Sequence, residues 1–113
     1  MLETPSFAVI LESELGSFLV ELQTSRRLDA EAFERISRLL DDAAVCLQHE
    51  SKVSKGFLWD IRSAIKTLRA EAPYLGDAGN QATTMSDCLE MIFDLILLGE
   101  TRNDRVSGVP RIL

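Results

Sequence analysis

At 113 residues the chain is large enough to bury one core and too small for two. Hydrophobic residues at 46% and charged residues at 27%, with only three prolines and six glycines, exclude a disordered or fibrous chain. A formal net charge of −6 disfavours nucleic acid and anionic membrane surfaces, leaving solubility alone or a basic protein partner as the use of that charge.

The first apolar series is Phe7, Leu11, Leu15, Phe18 and Leu22, at alternating spacings of four and three. That spacing stacks the five on one side of a helix, predicted over 5–24 with Thr4 and Pro5 at its N-terminal cap and first turn. A polar link, Ser25 to Arg27, leads to Asp29, an N-cap for a second helix over 29–49. Its inner face reads Phe33, Ile36, Leu40, Ala43 and Leu47, with Leu39 and Cys46 at one edge. The pairs Glu31–Arg35 and Glu34–Arg38 support this helix by a few tenths of a kcal/mol each and imply no site.

Ser54 caps a third helix over 54–72, with Phe57, Ile61, Ala64, Ile65 and Leu68 facing inward. Pro73 stops it, because proline biases Ala72 out of the helical region and donates no backbone hydrogen bond. Tyr74 to Asn80 is the one long connection. A fourth helix follows over 81–98 with Gly99 as its C-terminal cap, and residues 101–113 read as a tail. No alternation of period two argues for a strand. Four amphipathic helices and mostly short loops predict an all-α, antiparallel up-down-up-down four-helix bundle about 30 Å long.

Cys46 and Cys88 sit in apolar helical runs without metal or CxxC spacing and are expected to be reduced core residues. Met1 to Phe7 lacks a basic n-region and no apolar run reaches membrane-spanning length, so a cytoplasmic protein without membrane attachment is expected.

The fourth helix is unusual. Between Leu89 and Leu98 only Glu90 and Asp94 are polar. At 100° per residue its apolar positions cover roughly 260° of the circumference, against a stripe of about 100° that one core needs. The surplus predicts a homodimer through Met91, Leu95, Leu97 and Leu98, with coverage by Val106 to Leu113 as the alternative.

Chemistry finds little support. His49, the sole histidine, falls near a helix end with no nucleophile or ligand pattern around it and is expected to be exposed. Asp87, Glu90 and Asp94 read as a solvated stripe, since no Glu-x-x-His motif accompanies them. The Gly76–Asn80 segment lacks the lysine of a P-loop. No cofactor or metal is implied, and an enzyme or metal-binding bundle is the remote alternative.

The most informative surface is a basic ridge on the third helix. Lys55, Arg62, Lys66 and Arg69 fall within about 60° of one another, beside Trp59, which lies off the apolar arc. Residues 52–72 hold five positive and two negative side chains, whereas residues 1–24 hold four negative and none positive. The ridge is the candidate surface for an anion or a protein partner, with internal compensation by acidic groups of the first or fourth helix as its alternative. A small-ligand version would hold an anionic metabolite there, beneath Arg102, Arg105 and Arg111. The leading expectation is a non-catalytic, dimeric interaction module acting as adaptor, regulator or neutralising partner.

Overall fold

The computed structural model describes residues 4–101, with side chains from Ala8 onward. Four α-helices form: α1 (Thr4–Ser25), α2 (Ala30–Leu47), α3 (Lys55–Glu71) and α4 (Gly79–Leu98). No strand occurs among the described residues. The expected all-α four-helix bundle is therefore the fold. The Phe7 side chain, and the tail from residue 102 onward with Arg102, Arg105, Arg111 and the run Val106 to Leu113, lie outside the described residues.

Local chemistry places the helix ends. The Asp29 carboxylate accepts from the Ala32 N–H at 3.0 Å, and the Ser54 hydroxyl accepts from the Phe57 N–H at 3.3 Å. Each cap satisfies a donor that the first helical turn leaves without a backbone partner. At the other extreme, α4 ends at Gly99 with φ of 69°. There the Gly99 N–H donates to Ile96 and the Glu100 N–H donates to Leu95, the pair of bonds of a Schellman motif.

Pro73 acts differently from expectation. Ala72 keeps helical angles, φ −50° and ψ −44°, and the chain tightens into a 3₁₀ turn, Ala72–Tyr74, followed by a second, Gly76–Ala78. The α-helix stops because Pro73 has no N–H to give, not because Ala72 leaves the helical region. The predicted long connection is thus two tight turns, and α4 begins two residues earlier than its apolar pattern suggests.

Leu11, Leu15, Phe18 and Leu22 of α1 meet Ile36, Leu40, Ala43 and Leu47 of α2 in a common core. Phe57, Ile61, Ala64, Ile65 and Leu68 of α3 and Ala82, Leu89, Ile92 and Ile96 of α4 complete it. Phe33 sits at its edge, half-buried, with its ring 5.9 Å from that of Phe18. Cys46 is exposed, contrary to expectation, whereas Cys88 is half-buried against the core. Cys46 lies about 90° round α2 from the line of Ile36, Leu40 and Leu47, too far to reach the interior. Arg35 also departs from expectation, turning to Glu14 of α1 at 3.5 Å, whereas Arg38 makes the expected pair with Glu34 at 2.8 Å.

The principal packed pairs are α1 with α2, α1 with α3, α2 with α4, and α3 with α4, the last being the most extensive. The link from α2 to α3 therefore crosses the bundle diagonally. Arg26, just past α1, reaches Glu71 at the end of α3 at 3.5 Å, so these two neighbours bring their C-terminal ends together. Arg69 pairs with Asp87 while Arg62, earlier in α3, pairs with the later Glu90, an order that makes α3 and α4 antiparallel.

Candidate functional site: the outward face of α3 and α4

α3 and α4 share a long seam whose outer side holds all five ridge residues. The core side of α3 is occupied by Phe57, Ile61 and Leu68, so the helical period turns Lys55, Trp59 and Lys66 to solvent and Arg62 and Arg69 toward α4. Arg69 is the most engaged of these. Its guanidinium donates to Glu90 at 2.9 Å, to Asp87 at 3.2 Å and, through Nε, to the buried Ser86 hydroxyl at 3.3 Å. Arg62 reaches the same Glu90 carboxylate at 3.5 Å.

For Arg62 and Arg69 these contacts agree with the expected alternative, compensation by acidic groups of the fourth helix, and Asp87 and Glu90 serve as their partners instead of forming a merely solvated stripe. Two ridge cations remain on the outside. Lys66 lies 5.9 Å from the centre of the Trp59 ring, a cation–π contact, and Lys55 is exposed at the first turn of α3.

Hydrogen bonds and the adjacent Arg69 charge, helped by Arg62, hold the Glu90 carboxyl below its ordinary range, while Glu90 and Asp87 raise Arg69. A carboxylate lowered in the folded state stabilises the fold above its unfolded pKa, and that contribution disappears as pH falls through the lowered value. Glu90 should accordingly titrate below the ordinary glutamate value in a side-chain carbon NMR titration. Arg69→Met should move its midpoint upward, and no movement would mean that the network does not form in solution.

α4 hides more of its apolar surface than expected. Leu89, Ile92, Leu95 and Ile96 are buried, with Leu95 only 1% exposed, and Met91 and Phe93 are half-buried against the core. Leu95 thus belongs to the chain's own interior and cannot form the predicted dimer contact, and Met91 is largely committed there as well. Leu97 and Leu98 remain, 55% and 47% exposed. The reason is position: α4 packs against both α2 and α3, so its buried arc from Leu95 round to Ser86 spans roughly 180° at 100° per residue.

The seam opens into a shallow apolar groove of about 260 Å³, lined by Lys55, Leu58, Trp59, Arg62 and Phe93. Trp59 stands at its mouth, 61% exposed. Leu97 follows Phe93 by one helical turn and so extends the same side of α4. Leu58 and Phe93 were not among the predicted site residues, since each borders a core stripe and is half-buried against the core. No protein family, curated protein or solved structure matches this chain. The face must therefore be interpreted from its own chemistry.

The groove is smaller than the roughly 300–1,000 Å³ of typical small-molecule sites. Among the described residues no three His, Cys, Asp or Glu side chains gather as a metal ion would require. His49 is exposed beyond the end of α2, and no described helix is long and apolar enough to cross a membrane.

Proposed function

We propose that this chain is a non-catalytic protein-interaction module whose docking surface is the outward face of α3 and α4. The observation that carries the reading is Trp59, largely exposed in the lining of an apolar groove, with exposed Leu97 one helical turn beyond Phe93 on α4. A large exposed aromatic beside a groove and a rim of cations is the composition of an interface centre, where tryptophan is enriched and contributes disproportionately on burial. Arg62 and Arg69 favour this reading over a small-anion site, because both guanidinium groups are already occupied by carboxylates.

The test is site-specific photocrosslinking in the native cell. A photoreactive residue replacing Leu97 should give discrete protein adducts, while the same residue replacing Arg38, on the outward side of α2, should give few. Equal labelling from both positions, or none from Leu97, would overturn the proposal.

A further inference from the structure

We draw no further inference here: the strongest candidate, the shallow apolar groove between α3 and α4 at Trp59 and Phe93, belongs to the docking surface already proposed, and nothing in the structure shows what covers it.

Discussion

Phe18→Ala should destabilise the fold by about 3–5 kcal/mol, the range for truncating a fully buried phenylalanine to alanine. Phe18 is 2% exposed and lies midway along α1, the helix that packs on both α2 and α3. Its removal opens a cavity that rigid neighbouring helices close only in part, adding a cavity cost to the lost transfer energy. For a domain of this size the expected fall in melting temperature is roughly 10–25 °C, read by far-ultraviolet circular dichroism because exposed Trp59 is a poor reporter of core packing. Phe33→Ala should cost less, since Phe33 is half-buried, and the double variant should reveal a coupling of about 0.5–1.5 kcal/mol from the ring pair. A loss below about 1 kcal/mol for Phe18→Ala would mean that α1 does not dock as described.

The second large effect concerns Gly99. Gly99 and Gly76 both adopt positive φ, 69° and 58°, and an alanine at either position is strained by roughly 1–2 kcal/mol from backbone conformation alone. Only Gly99 carries a second cost. A Cβ there would lie 2.8 Å from the Gln48 carbonyl oxygen, whereas at Gly76 it would meet nothing within 4 Å. Backbone atoms at the end of α2 cannot rotate aside as a side chain does, so Gly99→Ala should cost about 1–3 kcal/mol more than Gly76→Ala. Chemical denaturation of the two variants measures that difference directly. Equal losses would show that the ends of α2 and α4 are not in close approach.

The inward stripes were legible because they depend only on the helical period. Phe57, Ile61, Ala64, Ile65 and Leu68 were assigned to the core of α3 from spacing alone, and all five are buried. The caps at Asp29 and Ser54, and the left-handed glycine at 99, were equally readable, since each satisfies an obligation local to a few residues. Cys46 was misplaced because the apolar run around it was read as core, although the helical period sets it at one edge of the inner face of α2.

The candidate site was only half legible. Lys55, Trp59, Arg62, Lys66 and Arg69 share one side of α3 by period, which the sequence displays. Their division into free and compensated cations depends on which residues of α4 stand opposite, and that is a matter of register between two helices. Leu95 makes the same point from the apolar side. Counting greasy positions around an isolated helix suggested a surplus, but the number that stay exposed depends on how many neighbours the helix touches, and α4 touches two.

By itself, the order of residues determined that four helices form, that Asp29, Ser54 and Gly99 cap three of their ends, and which stripe turns inward, because hydrogen-bond capping and the 3.6-residue period act within a single segment. Tertiary packing alone decided that α4 sits between α2 and α3, that Arg62 and Arg69 are spent on Glu90 and Asp87, and that a groove opens at Trp59. Those outcomes depend on the relative height and rotation of helices far apart in the chain, which one helix's own pattern leaves open.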